Sequence, residues 1–179
     1  MSMEMMVDIE TLATDERALV LTMGFVEFNN SGAKASQRWI LDMSQQMEKG
    51  RSINPETITW WMRQDDVARQ EAFAESRSDI VASLWGVHRF FIDVDPVSVW
   101  ANSPSFDLTI LETLFRDFDV DVPWAFYQTR DVRTLREESG LSRDWQPENI
   151  AYTPHTAIGD CCRQIEIVKE CRRLNGNLY

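Results

Sequence analysis

Residues 7–12 read VDIETL, which sets Asp8 and Glu10 one residue apart among apolar neighbours. If MMVDIE is a strand, its period of 2 sends both acids to one face and turns Val7 and Ile9 into a core on the other. At roughly 6 Å and an effective dielectric of about 20, the two carboxylates repel by about 2–3 kcal/mol. A divalent cation would offset that repulsion; so would water at a solvent-facing strand end, and the pair alone does not choose between them. Two further acids and a histidine bear on the choice. Asp107 falls in the first turn of a helix that follows a strand, where Ser103 or Ser105 can supply a cap and an acid also complements the helix dipole. Asp160 lies between Ile158 and Cys161 in the last helix, where an acid beside a core-facing stripe is unusual. His155 precedes it by five residues, about 140° round an ideal helix, and so belongs at the helix mouth; taken singly, such a histidine is more often a cap or a surface group than a catalyst.

The elements that must position these groups follow from periodicity and turn chemistry. After the first strand, ALVLTMGFVEFN (18–29) and KASQRWILD (34–42) have strand character around the turn signal NNSG, which predicts an antiparallel meander. NPETITWWMRQ (54–64) reads as a helix with Pro55 at its start, resuming after a break as DDVARQEAFAE (65–75). Ile80, Leu84, Val87 and Phe91 fall at helical spacing within 79–93, and Ile110, Leu111, Leu114 and Phe118 do so within 105–118. VSVWANS (97–103) and WAFYQTR (124–130) read as strands, 131–139 as a short helix, and 155–176 as a closing helix stopped by Gly176. Strands in hairpin order, then alternating with helices, predict an α/β fold with a mixed sheet and helices on its faces.

A chain of 179 residues without a Gly-, Pro- or Ser-rich linker is expected to form one domain over 1–179. Seven Trp and nine Phe supply a core without disulfides. Cys161, Cys162 and Cys171 match no zinc spacing, and their odd number opposes a disulfide framework, so they read as small apolar residues in a reduced compartment. With neither a leader-like N-terminus nor a long apolar run, the chain is expected to be soluble and cytoplasmic, with no membrane partner. A formal net charge of −11 opposes a broad surface for duplex or anionic lipid. It leaves room for a nucleic-acid enzyme in which bound metals and a local basic patch reverse the potential at one site.

Taken in order, the acids resemble the DEDDh class of 3′-to-5′ exonucleases, which has a ribonuclease-H-like fold. VDIETL, TITWW (57–61), SFDLTIL (105–111), RDVRT (130–134) and HTAIGDC (155–161) are similar to segments of the T-even phage exonuclease A family, which is grouped with a mycobacterial exoribonuclease. Tyrosine-type relatives carry Tyr four residues before the last Asp; Thr156 stands there, so the histidine subtype fits. The resemblance implies a five-stranded mixed sheet flanked by helices. It implies that Asp8, Glu10, Asp107 and Asp160 bind two divalent cations, Mg²⁺ or Mn²⁺, with His155 as general base, releasing nucleoside 5′-monophosphates from the 3′ end of single-stranded RNA or DNA. Hard carboxylate oxygens suit such ions. By the same resemblance, Thr11 and Leu12 contact the terminal sugar and base, the setting is a bacterial or phage-infected cytoplasm, and a homodimer is one assembly to expect.

Other residues carry a role beside a plain alternative. Adjacent Trp60 and Trp61 point about 100° apart on a helix, so at most one faces the core fully and the other can stack on a base. Arg130, Arg133 and Arg136 can hold phosphates or pair with Asp131, Glu137 and Glu138. Asn102 can bond substrate or serve a turn, and His88 reads as structural. A rival function is a non-catalytic nucleic-acid-binding or scaffold module, which would be expected to have lost one of the acids or His155; another is an endonuclease of the broader fold.

Overall fold

The computed structural model describes residues 2–75, 79–148 and 152–176. Its centre is a five-stranded sheet in the order β3-β2-β1-β4-β5. The strands are β1 (Glu4–Thr11), β2 (Val20–Asn29), β3 (Gly32–Ile40), β4 (Val99–Ala101) and β5 (Thr129–Asp131). β1 to β3 pair antiparallel, and β4 and β5 extend the other edge parallel to β1. The expected hairpin turns at Asn30 and Ser31, where the Asn29 side chain accepts the Ser31 N–H at 2.8 Å and Gly32 takes φ 115°.

Among the described residues, seven helices surround the sheet: α1 (Met43–Glu48), α2 (Pro55–Trp61), α3 (Asp66–Ala72), α4 (Ile80–Val94), α5 (Asp107–Asp117), α6 (Val132–Ser139) and α7 (Ala157–Leu174). Met5, Val7 and Ile9 of β1 pack with Phe25, Leu84, Phe91, Leu111 and Leu114 in a core under α4 and α5. Met6 of β1 packs with Val26, Trp100, Val132, Ile165 and Val168 on the opposite face, under α6 and α7. Asp8 and Glu10 share parity with Met6, so both acids face α7, while each buried neighbour such as Val7 contributes roughly 1.5–3 kcal/mol to holding the strand. A third cluster of Leu12, Leu19, Leu21, Trp61, Ala68 and Ala72 fixes α2 and α3 beside the end of β1.

The apolar stripe of α4 is buried as its spacing predicts, as are Ile110, Leu111 and Leu114 of α5, whereas Phe118 follows the helix as its C-cap and is half-buried while Phe115 is buried. Asp79 and Asn54 cap α4 and α2 by accepting the N–H groups of Ala82 and Glu56. The boundaries differ where no apolar stripe exists to read. α1 was hidden because its one buried residue is Gln46, whose amide bonds the Val20 backbone from both ends, and Asp42, expected at the end of a strand, is instead its cap. The strands expected over 97–103 and 124–130 shrink to Val99–Ala101 and Thr129–Asp131, because Phe126–Gln128 forms a 3-10 turn and Trp124 folds into the core. The last helix begins at Ala157, two residues later than expected, since His155 has φ 59° and Thr156 occupies the cap position.

α7 lies so close to β2 that a Cβ at Gly24 would meet the Ala157 carbonyl carbon at 2.8 Å. Gly24→Val should therefore lower the unfolding free energy by about 1–3 kcal/mol in a urea titration, the usual cost of overpacking; an unchanged midpoint would show that α7 can shift freely.

Candidate active site

β1 presents Asp8 opposite Gly24 and Glu10 opposite Thr22, and the register slips immediately afterwards, between Glu10 and Thr11. Such an irregularity re-aims side chains where a strand ends. The missing Cβ at Gly24 lets the N-terminal turn of α7 settle beside Asp8, with the Cys161 thiol 3.6 Å from the carbonyls of Met6 and Gly24. Gly159 makes a second close approach, since a Cβ there would lie 2.5 Å from the Thr153 carbonyl. That packing folds the 153–156 segment back so that the His155 N–H donates to Asp160 Oδ2 at 2.8 Å. One turn further along, Gln164 Nε2 donates to Asp8 Oδ1 at 2.7 Å. Asp107, buried at the start of α5, accepts the Ile9 N–H at 3.3 Å, between the two acids of β1. Neither Ser103 nor Ser105 caps this helix; their hydroxyls bond each other at 2.7 Å.

Carboxylate oxygens of Asp8, Glu10 and Asp160 all lie within 4.8 Å of one another. Burial first, then repulsion from Asp107, Glu10 and Asp160, pushes the Asp8 carboxyl well above the usual range. Burial, with Asp160, Asp107 and Glu71, raises Glu10 to about 8. Asp107 rises to about 7 through burial, opposed by its backbone hydrogen bonds and by Arg133, so it belongs to the same electrostatic unit. Burial raises Asp160 too, against the His155 N–H, the His155 ring and Arg163. The donor set fits a hard divalent cation: oxygens only, close together, and too mutually repulsive to ionise fully without one. Gln164 adds a further mark, since its Oε1 is buried and has no hydrogen-bond partner among the described residues.

Beside Glu10 opens a cavity of about 480 Å³, lined among others by Thr11, Thr57, Trp60, Trp61 and Phe106, within the size range of small-molecule sites. The two tryptophans divide. Trp60 is 41% exposed and stands edge-on to the His155 ring at 4.8 Å. Trp61 is 1% exposed and donates its Nε1–H to the Thr11 carbonyl at 2.9 Å, so it is a strut for β1 with no face free to stack on a base. Leu12 is likewise spent on packing against Leu19 and Leu21. Thr11 borders the cavity, although its hydroxyl is bonded to the Ala13 carbonyl at 2.7 Å. Asn102 lines a separate, arginine-rich cleft. The Arg130 guanidinium bonds the carbonyls of Tyr127 and Thr129, both at 2.8 Å, which leaves Arg133 as the arginine of that segment whose charge reaches an acid of the cluster. His88 contacts the Asp121 carbonyl, as a structural residue would. Sequence patterns missed Gln164, whose signal was its position one turn after Asp160, and Gly24 and Gly159, whose role is only spatial.

Residues 3–172 match the family described as the 3′-5′ exoribonuclease Rv2179c-like domain, and the chain belongs to that family. Among solved structures it is similar to E. coli Exonuclease I in complex with a dT13 oligonucleotide, with TM-score 0.72 and 15% identity over 99% of this chain and 42% of that one. It thus spans less than half of Exonuclease I. It is also similar to the nuclease domain of 3′hExo, a DEDDh family member bound to rAMP, with TM-score 0.62 and 11% identity over 99% of this chain and 95% of that one. Exonuclease X in complex with 5′ overhanging duplex DNA gives TM-score 0.52 and 12% identity over 96% and 92%. At these identities the likeness shows the fold, a ribonuclease-H-like exonuclease fold. No curated protein matches the sequence. Among the described residues, no helix is long and apolar enough to cross a membrane.

Because Glu10 and Asp107 bind protons more tightly folded than unfolded, the metal-free protein loses stability as pH rises from about 4 toward about 8. In chelator, the melting temperature should fall between pH 5 and pH 8, and Mg²⁺ or Mn²⁺ should restore it at pH 8 far more than at pH 5. Equal metal-induced shifts at both pH values would contradict a cation held by these acids.

Proposed function

We propose that this member of the family is a metal-dependent 3′-to-5′ exonuclease acting on single-stranded nucleic acid and releasing nucleoside 5′-monophosphates. The observation that carries the reading is the convergence of Asp8, Glu10 and Asp160 within 4.8 Å, with Asp107 tied to Ile9 between the first two and His155 on the loop that holds Asp160. The four acids would hold two divalent cations, Mg²⁺ or Mn²⁺, which when bound supply charge to clamp the scissile phosphate and acidify the attacking water. His155 takes the proton of that water at a ring nitrogen, acting as the general base. The bond from the water oxygen to phosphorus forms as the bond from phosphorus to the 3′ oxygen breaks, freeing the terminal nucleotide.

The chain's own residues orient the ends of this reaction. Trp60 bounds the terminal-nucleoside cavity and packs against the His155 ring, so one side chain links substrate binding to the base. Thr11 and Phe106 close the cavity beside Glu10. The family description favours RNA as substrate, and the dT13 complex of Exonuclease I makes DNA the comparison to run alongside it. A scaffold role is disfavoured because all four acids and His155 are present and drawn to one end of the sheet.

The test is a time course on 5′-labelled RNA and DNA strands of equal sequence, with Mg²⁺, Mn²⁺ or chelator. Asp8→Asn or Asp160→Asn should abolish mononucleotide release while leaving the melting temperature of the metal-free protein unchanged or higher, since each removes a repelling charge. Chelator-insensitive cleavage, or an active Asp8→Asn protein, would sink the mechanism; cleavage of a circular strand would assign an endonuclease. Gln164→Leu keeps the acids but frees Asp8, and should weaken the apparent metal affinity by about 10–100-fold, as loss of a ligand-orienting partner does. Metal titrations that superimpose on wild type would remove Gln164 from the site.

A further inference from the structure

Separate from the cavity beside Glu10, a second cleft of about 620 Å³ opens along α6 and the segment that follows it. Glu10 lines the cavity, and Arg163 of the cleft stands one turn after Asp160 on α7, so the acidic cluster borders both. In a chain of net charge −11, the cleft is bordered by Arg133, Arg136, Arg143 and Arg163, with Glu137 as the one acid among the described residues that line it. These arginines divide by what they bond. Arg136 holds the rim together through the carbonyls of Ser142, Arg143 and Trp145, and Arg163 donates to Gln146 at 2.9 Å while lying over the Tyr152 ring. Arg133 and Arg143 are exposed, and among the described residues neither guanidinium has a hydrogen-bond or ion-pair partner. The fold thus spends two arginines to build the cleft and leaves two cations facing it. No aromatic ring lines the cleft among the described residues, so it is suited to phosphates more than to bases.

We propose that this cleft is the track for the phosphodiester backbone of the substrate strand on the 5′ side of the scissile bond, with Arg133 and Arg143 as its phosphate contacts. The assignment rests on the exonuclease reading, which places the 3′ nucleoside in the cavity beside Glu10. Electrostatic continuity supports it: Arg133 acts on Asp107 and Arg163 on Asp160, so the basic cleft begins where the acidic cluster ends.

The experiment is fluorescence anisotropy of a 5′-fluorescein single-stranded RNA of about twelve nucleotides, titrated in chelator over a series of salt concentrations. Each lost phosphate contact lowers the slope of log affinity against log salt by about 0.7, so R133Q/R143Q should be shallower than wild type by about 1.4. Lys34→Gln, an equal loss of charge per site on β3 at the far edge of the sheet, should leave the slope as it is. A double variant with the wild-type slope, a Lys34→Gln slope that falls as much per charge, or a wild-type protein that does not bind the strand would each overturn the proposal. So would a nucleoside monophosphate that binds as tightly as the strand with the same dependence on both arginines, since the cleft would then take a free phosphate. Mononucleotide release by wild type with Mg²⁺ is measured in parallel: its absence overturns the exonuclease reading, whereas the slopes decide the cleft.

Discussion

Mutual repulsion among four carboxylates at one end of β1 is the constraint around which this fold is arranged. Elsewhere the protein neutralises its enclosed acids with arginine. Glu4 is held by both nitrogens of Arg172 at 2.8 Å, and there burial is outweighed by Arg172, Ser98 and Trp100, leaving the carboxyl below its ordinary value. Asp117 lies between Arg17 and the fully enclosed Arg51 side chain. Asp8, Glu10, Asp107 and Asp160 receive no such partner among the described residues: the bonds of Asp8, Asp107 and Asp160 come from a side-chain amide and from backbone N–H groups. Neutral donors fix the direction of a carboxylate without cancelling its charge. The contrast within one molecule separates a structural acid from a ligand better than burial alone does, because an unpaired buried charge is costly unless something outside the chain completes it.

The geometry of that cluster depends on atoms the chain lacks. Asp160 reaches Asp8 only because β2 carries Gly24 where α7 crosses, and the His155 loop reaches Asp160 only because Gly159 lets the Thr153 carbonyl approach. Trp61 then ties the end of β1 to α2 through the Thr11 carbonyl. The acids are therefore supported from three directions: a sheet partner without a side chain, a helix turn without a side chain, and an indole that anchors the strand beyond them. Substitutions at these supports act on the site through position, not through chemistry.

How much of this could be read from the sequence follows from the range of each signal. The strand face of Asp8 and Glu10, the stripes of α4 and α5 and the meander are local patterns of period 2 or 3.6, and they were legible. The ordered acids and His155 were legible as a set, although the Asp8 and Glu10 pair alone is as well explained by a screened strand end as by a site. What periodicity could not show was pairing in space. Trp60 and Trp61 are adjacent and chemically identical, yet Trp61 is buried against Thr11 while Trp60 meets His155. Leu12 follows Thr11 directly but turns into the α2–α3 cluster once the strand register slips. Arg130 looked as suited to phosphate as Arg133 until the 3-10 turn before β5 offered it two carbonyls. β4 and β5, at three residues each, are too short to carry a pattern of their own and exist because the sheet edge is there to pair with.

A strongly acidic chain that handles a polyanion presents an apparent contradiction, which the local electrostatics resolve. At physiological ionic strength exposed charges are screened beyond about 8 Å, so contact is governed by the charges local to the site more than by the net charge of −11. Within that range a strand would meet three different surfaces in succession: a cavity bounded by Trp60, Trp61 and Phe106, a cluster of acids whose charge depends on bound cations, and a cleft with four arginines. Only the middle surface repels phosphate when metal is absent. On the proposed exonuclease reading, binding and activation would be coupled through the same ions, and the general acidity of the surface would disfavour a broad duplex footprint while leaving one narrow route for a single strand. Specificity for an end, in this view, comes from the cavity closing one side of the acids and the basic cleft opening the other.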